Sequence, residues 1–156
     1  MELTLVDIII RVAMAVGLGA LLGVERTLAG KTAGVRTYSM VSLGSALFVI
    51  ISQIFLSNVS NISLANPLLM ASAVVTGIGF IGAGLVIFQD HKVVGLTTAA
   101  GLWVSAGIGM ASGFGMTELA VVALISALII FTVLWFVEKL LRKINYNNLE
   151  GENVEN

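Results

Sequence analysis

Apolar runs about twenty residues long, each nearly free of charge, constrain this chain more than any other feature. An α-helix rises about 1.5 Å per residue, so about 20 residues cross the ~30 Å hydrocarbon core of a bilayer. Such runs extend from about Leu5 to Val24, Thr37 to Leu56, Pro67 to Phe88, Val93 to Ser112 and Thr117 to Val137. Only 11% of residues are charged, 58% are hydrophobic, and mean hydropathy is +1.03. A soluble domain carries about 25% charge, so the chain lacks the polar surface to cover a water-soluble globule. The expected fold is all-α, a polytopic membrane bundle of five transmembrane helices. Strands are not expected. The runs are about twice as long as the ~10-residue alternating segments of a membrane barrel, and in lipid the backbone must pair with itself.

One transmembrane domain, residues 1–141, accounts for nearly the whole chain, with a short cytoplasmic tail at 142–156. Met1-Glu2 opens on an acid where a secretory leader needs basic residues, so the first run is expected to stay as a membrane helix. The absence of cysteine excludes disulfides, thiolate metal sites and cysteine nucleophiles. Neither the composition nor the net charge of -1 suggests a nucleic-acid partner.

The basic residues are distributed unevenly. Arg26, Lys31 and Arg36 separate the first two runs, Lys92 separates the third and fourth, and Lys139, Arg142 and Lys143 follow the fifth. With five spans, all seven fall on one face. The other face has Glu2, the uncharged loop Ser57–Asn66 and the turn Gly113–Met116. The positive-inside rule then puts the N-terminus outside and the C-terminus in the cytoplasm. Pro67, the single proline, is placed to open the third helix, where its missing N–H costs nothing.

Within the runs, small residues recur. Gly19 and Gly23 fit the close-packing pattern of membrane helices, and Gly101, Ser105, Gly109 and Gly113 recur every four residues to form a groove. Gly77-Ile-Gly79-Phe-Ile-Gly82 matches GxGxxG literally. The dinucleotide reading fails because the motif lies mid-way along an uncharged run, with no βαβ unit around it. Gly77, Gly79, Gly82 and Gly84 fit instead a surface stripped of side chains for another backbone, with the Gly101–Gly113 groove as its expected partner. The alternative is a bent or unwound segment whose free carbonyls line a polar cavity.

Several polar residues stand out against this background. Arg11 lies inside the first run, where a mid-membrane arginine costs about 2.5–3.5 kcal/mol. It either reaches outward to pair with Asp7, four residues earlier, or turns into the bundle to bind carbonyls or a carboxylate. Glu25, Arg26 and Arg36 cluster at the cytoplasmic mouth, and Glu25 is expected to pair with Arg26 or Arg36 and so tie the first helix to the second. Thr97 and Thr98 follow Gly95 at the start of the fourth run, where their hydroxyls would cap that helix or bond to a neighbour. His91, the single histidine, reads as a solvated loop residue. No triad or cluster of metal ligands is legible, and no carboxylate falls mid-membrane, which argues against a familiar ion-coupled carrier.

Four segments together resemble the MgtC/SapB family of prokaryotic membrane proteins: RVAMAVGLGALLGVER (Arg11–Arg26), KTAGVRTYSMVSLGSALF (Lys31–Phe48), VVTGIGFIGAGLVI (Val74–Ile87) and GLTTAAGLWVSAGIGMASGFG (Gly95–Gly115). Two departures accompany the match. Leu69-Met-Ala-Ser-Ala73 stands where the family often reads RIAAQ, so an arginine and a glutamine are missing. The tail is also too short for the soluble C-terminal domain that many members carry. The resemblance implies a multi-pass protein of the inner membrane. By position, its signature residues would be Arg11, Gly23, Glu25, Arg26, Gly34, Arg36, Thr37, Gly77, Gly79, Gly82, Gly84, Gly95 and Thr98. It further implies links to magnesium limitation, to survival of pathogens inside host cells and to restraint of the membrane ATP synthase.

Two functions remain open at this point. The first is a non-enzymatic regulator that works through helix contacts with a second copy of itself, a dimer being the simplest assembly, or with another membrane complex. The second is a small ion channel or carrier, with Mg2+ as the first candidate ion and Arg11, Glu25 and broken-helix carbonyls along its path. No cofactor is expected, and catalysis ranks last for want of a nucleophile–base pair.

Overall fold

The computed structural model describes residues 3–57, 68–89 and 91–141. The expectations for Glu2, the loop up to Asn66, Pro67, Asp90 and the tail with Arg142 and Lys143 lie outside the described residues. The elements are α1 (Leu5–Leu28), α2 (Val35–Ser57), α3 (Leu68–Leu85), strands β1 (Ile87–Gln89) and β2 (Lys92–Val94), α4 (Leu96–Gly113) and α5 (Thr117–Ile129). A π turn at Ile130–Leu134 carries α5 onward as one helix to Leu141.

Helix α1 begins where the sequence can close a capping box. The Thr4 hydroxyl accepts from the Asp7 N–H at 3.2 Å, and the Asp7 carboxylate accepts from the Thr4 N–H at 3.0 Å. It ends at a left-handed glycine: Gly30 has φ +66°, and the Lys31 N–H reaches back to the Arg26 carbonyl at 3.0 Å. The helix is therefore about a turn longer than its uncharged run. Glu25 and Arg26, expected in a loop, lie on its last helical turn. The turn from α4 to α5 repeats this device. Gly115 takes φ +78°, and the Met116 N–H bonds the Ala111 carbonyl at 2.8 Å.

Helix α4 is the centre of the molecule and packs against α1, α2, α3 and α5. Ten of its 18 residues are buried, against two of the 18 on α3. Four helices are long and apolar enough to cross a membrane: α1, α2, α3 and the whole of Thr117–Leu141. Helix α4 is less apolar because protein rather than lipid surrounds it, so glycine, serine and threonine suit its surface better than leucine would. The fold is a polytopic helical membrane bundle.

The structure corrects several expectations. An antiparallel β-hairpin, pairing Ile87 with Val94, Phe88 with Val93 and Gln89 with Lys92, replaces the end of the third run and the start of the fourth. Apolar β-branched and aromatic residues flank a polar tip there, and a short hairpin reverses the chain with its backbone paired. His91 stands at that tip with φ +61°. Gly95 then enters α4 at φ +92°, so close to the Leu85 carbonyl that a side chain would overlap it. Helices α3 and α4 are continuous, so the unwound-segment alternative for the Gly77–Gly84 stretch is not what forms. The helical irregularity lies in α5 instead. The groove of α4 is also filled by α2, not by α3. A Cβ on Gly109 would overlap the Ser42 carbonyl, and one on Gly113 would lie 2.8 Å from the Ala46 carbonyl.

Candidate functional site

The polar residues singled out in the sequence separate into two clusters at opposite ends of the bundle. At one end, Arg11 projects from the second turn of α1 into the interior. Its Nη1 donates to Gln53 Oε1 at 2.7 Å and to the Gly113 carbonyl at 2.8 Å, so one guanidinium ties α1 to the ends of α2 and α4. Gly115 leaves room for it: a Cβ there would sit 2.9 Å from Nη2. Of the two expectations for Arg11, the bundle-facing one describes the molecule. Asp7 is instead engaged by Thr4, 2.7 Å from its hydroxyl. A half-buried arginine is tolerable where carbonyls and amides meet its donors.

At the other end, Glu25 and Arg26 form a bidentate ion pair through Nε–Oε2 and Nη2–Oε1. Arg26 is buried, and its guanidinium carbon lies 3.6 Å over the centre of the Phe131 ring. Of the two partners expected for Glu25, Arg26 is the one it takes, so the expected tie to the second helix through Arg36 does not form. The carboxylate satisfies its own neighbour, and the pair docks on the π turn of α5. A π turn widens the helix locally and brings Phe131 out to that guanidinium. Arg36 is exposed, as is Thr37.

Between the two ends, hydroxyls cross-link the bundle at backbone carbonyls. Ser42 Oγ donates to Ala15 at 2.7 Å, and Ser105 Oγ donates to Tyr38 at 2.8 Å. The Tyr38 hydroxyl reaches the carbonyl of buried Thr98 at 3.4 Å. The expectation that Thr97 or Thr98 caps α4 gives way to Gly95 as the capping residue. The glycines on this side are tightly enclosed. A Cβ on Gly19 would come within 2.7 Å of Ser42 Cβ, and one on Gly23 within 2.6 Å of Val35 Cα. One on Gly101 would strike the Tyr38 hydroxyl, and one on Gly34 the Thr27 hydroxyl.

Helix α3 differs. Among the described residues nothing beyond the helix's own backbone lies within 4 Å of where a Cβ would stand on Gly77, Gly79 or Gly84, and on Gly82 it would make only ordinary contact with Ala99 Cβ at 3.6 Å. An apolar groove of about 590 Å3 runs between α2 and α3, with Thr37, Gly44 and Gly77 among its lining. The signature residues therefore do not converge on one chemical site. Among the described residues no group of three or more histidine or acidic side chains is placed to hold a metal ion. Glu25 has both carboxylate oxygens on Arg26. Gln53, Phe131 and Tyr38 were not singled out in the sequence. For Gln53 a signal existed, an uncharged amide inside an apolar run near the far end of a helix adjoining Arg11. For Phe131, one apolar aromatic among many, there was none.

Comparison with known proteins agrees with this picture of a membrane bundle. The model of the MgtC family matches residues 12–140. YhiD of Escherichia coli K12, named as a candidate magnesium transporter, is 42% identical over 96 residues, covering 60% of this chain and 45% of its own. Protein MgtC of Brucella abortus is 39% identical over 83 residues, covering 53% of this chain and 32% of its own. Protein MgtC of Salmonella typhimurium is 40% identical over 92 residues, covering 59% and 37%. The matched regions thus span less than half the length of these relatives. No solved structure matches the chain significantly.

Proposed function

The chain belongs to the MgtC family, and from that premise we propose that it is a non-enzymatic regulator of the prokaryotic inner membrane that acts by helix-to-helix contact. On this reading it spans the bilayer five times, with the N-terminus outside and the basic ends of its helices in the cytoplasm. Its physiological setting is magnesium limitation, in keeping with the name of its E. coli relative. Its target is a second copy of the chain or another membrane complex, with the ATP synthase the first to test.

The observation that carries the proposal is the pair Gly77 and Gly84, seven residues apart on one face of α3 and both unfilled among the described residues. Glycine in a membrane helix costs about 1 kcal/mol relative to alanine. At Gly101, Gly109 and Gly113 of α4 that cost is offset by close packing, whereas Gly77 and Gly84, like Gly107, gain no such contact among the described residues. An external backbone would supply it. Supporting this, the interior charges are already engaged: Arg11 by an amide and a carbonyl, Arg26 by Glu25 and Phe131. Neither is left to line an ion path.

The test is crosslinking and affinity capture from native membranes with Gly77→Leu and Gly84→Leu chains. Both variants are expected to insert and fold, and to lose partners that the parent chain captures. Unchanged capture by both would defeat the proposal. Ion conduction is the alternative, favoured by the name of the E. coli relative. Purified protein in liposomes would then pass Mg2+ or another ion, and Glu25→Ala would abolish the flux.

A further inference from the structure

A cavity of about 1310 Å3 opens at the basic end of the bundle, between the last turns of α1 and the part of α5 beyond its π turn. It exceeds the ~300–1,000 Å3 of a small-ligand pocket, and its walls are of two kinds. Leu21, Val24 and Leu28 form an apolar stripe along α1, facing Leu128 and Trp135 of the last helix. Beyond the stripe stand Lys31 and Lys139, both exposed, with Arg26 deeper inside. We propose that this cavity binds one anionic phospholipid, with an acyl chain along the Leu21–Leu28 stripe and the phosphate between Lys31 and Lys139.

Three observations support that occupant. The first is depth. Helix α1 has 24 residues and Thr117–Leu141 has 25. At about 1.5 Å per residue each is about 36 Å long, roughly 6 Å more than the hydrocarbon core. Their ends therefore reach the headgroup layer, where a phosphate lies and where tryptophan concentrates. Lys139 stands two residues before the end of the last helix, and its Nζ lies 5.3 Å from the ring centre of Trp135, one turn deeper.

The second is charge. Glu25 and Arg26 neutralise one another, and Glu138 is the other carboxylate on the wall. Lys31 and Lys139 against Glu138 leave the rim net positive. A choline headgroup would bring a further cation to that rim, whereas a glycerol or diglycerol headgroup would not. The third is exposure. Leu28 is 83% exposed and Trp135 56% exposed, so the apolar stripe lies open, as lateral entry of an acyl chain requires. Basic pockets between membrane helices recognise anionic headgroups by this combination.

This inference is independent of the helix-contact reading, because it concerns α1 and α5 and leaves the α3 face unused. The test uses the full chain, delipidated in detergent and titrated with phosphatidylglycerol or phosphatidylcholine of identical acyl chains. Bound lipid is counted by native mass spectrometry, and thermal stability is followed in parallel. One phosphatidylglycerol per chain is expected to be retained, with phosphatidylcholine held at least several-fold more weakly. A lysine near an anionic lipid contributes roughly fivefold in affinity, so K31Q/K139Q should lower phosphatidylglycerol retention about 10- to 30-fold. K92Q, on the hairpin and outside the cavity, should leave it unchanged. Equal retention of the two lipids would overturn the site, as would an equal loss in K92Q. Inorganic phosphate stabilising the protein as well as phosphatidylglycerol would show a free-anion site and also overturn it.

Discussion

On α4, Gly101, Gly109 and Gly113 lie so close to α2 that an added Cβ would overlap it, and buried Ser105 bonds the Tyr38 carbonyl, whereas on α3 a Cβ on Gly77, Gly79 or Gly84 would meet nothing within 4 Å among the described residues. Both rows read alike in sequence, as small residues repeated within an apolar run. Their environments differ because α4 lies between four other helices while α3 is held at the edge, mainly along α4. A row of small residues therefore encodes an invitation to close approach. Whether the chain itself answers that invitation depends on where the helix sits.

Substitutions can separate the two kinds of row. The largest effect is expected for Gly109→Leu. Its first added carbon meets the Ser42 backbone carbonyl, which cannot rotate away as a side chain would. Overpacking costs about 1–3 kcal/mol and sometimes more. Backbone as the obstacle puts this variant at the upper end, to be read as loss of monodisperse protein or a strongly lowered melting temperature in detergent. Because it would damage the fold, it is unsuited to testing partner capture.

Next comes Glu25→Ala, which strips Arg26 of its counterion. Removing one partner of a buried pair costs about 3–5 kcal/mol. Glu25 keeps 17% side-chain exposure, so the loss is expected near the lower bound, about 3 kcal/mol. Thermal melts of this variant beside Glu25→Asp would measure it. A variant as stable as the parent would show that Phe131 and water suffice for Arg26.

Arg11→Ala follows, at about 2 kcal/mol. Two charge-assisted hydrogen bonds are lost, and such bonds contribute about 1.5–3 kcal/mol each. The relief of taking an arginine out of the bundle offsets part of that. Hydrogen exchange at the Gly113–Met116 turn should rise in this variant, because the turn loses the guanidinium that holds it.

The smallest effect on the fold is expected for Gly77→Leu and Gly84→Leu. Leucine fits the open space and has the better helix propensity, by up to about 1 kcal/mol. Melting temperatures should hold or rise slightly. A marked destabilisation would mean that the α3 face is packed within a single chain and would erase the contrast with α4.

Much of the fold was legible in sequence because its causes are local. The length of each apolar run and the turn at Gly113–Met116 act within a turn or two of helix, as does the Thr4–Asp7 cap, which was not singled out in the sequence. Glu25, Arg26 and Arg11, singled out in the sequence, each make a tertiary or neighbouring polar contact in the structure. Their partners were less accessible. Arg11 could be read equally as pairing with Asp7 or as turning inward, and the choice depends on Gln53 and Gly113, 42 and 102 residues away along the chain. The ring under Arg26 could not be anticipated, since the turn that presents Phe131 is an irregularity with no proline or glycine within Ile130–Leu134 to mark it. The hairpin was hidden by the continuity of apolar residues across Leu85–Phe88, a composition that suits helix and strand alike.

The sequence by itself determined that this chain lives in a membrane and that it does so as helices. Those properties follow from hydrophobicity and backbone hydrogen bonding, which every residue carries wherever it lies. Only the tertiary structure decided that α4 is the interior helix, that α2 fills its groove, and that Gly77, Gly79 and Gly84 of α3 are left exposed while Gly82 is buried. Those outcomes depend on which faces meet across long stretches of chain. Packing settles that choice by complementary shape, and shape belongs to pairs of helices rather than to either sequence alone.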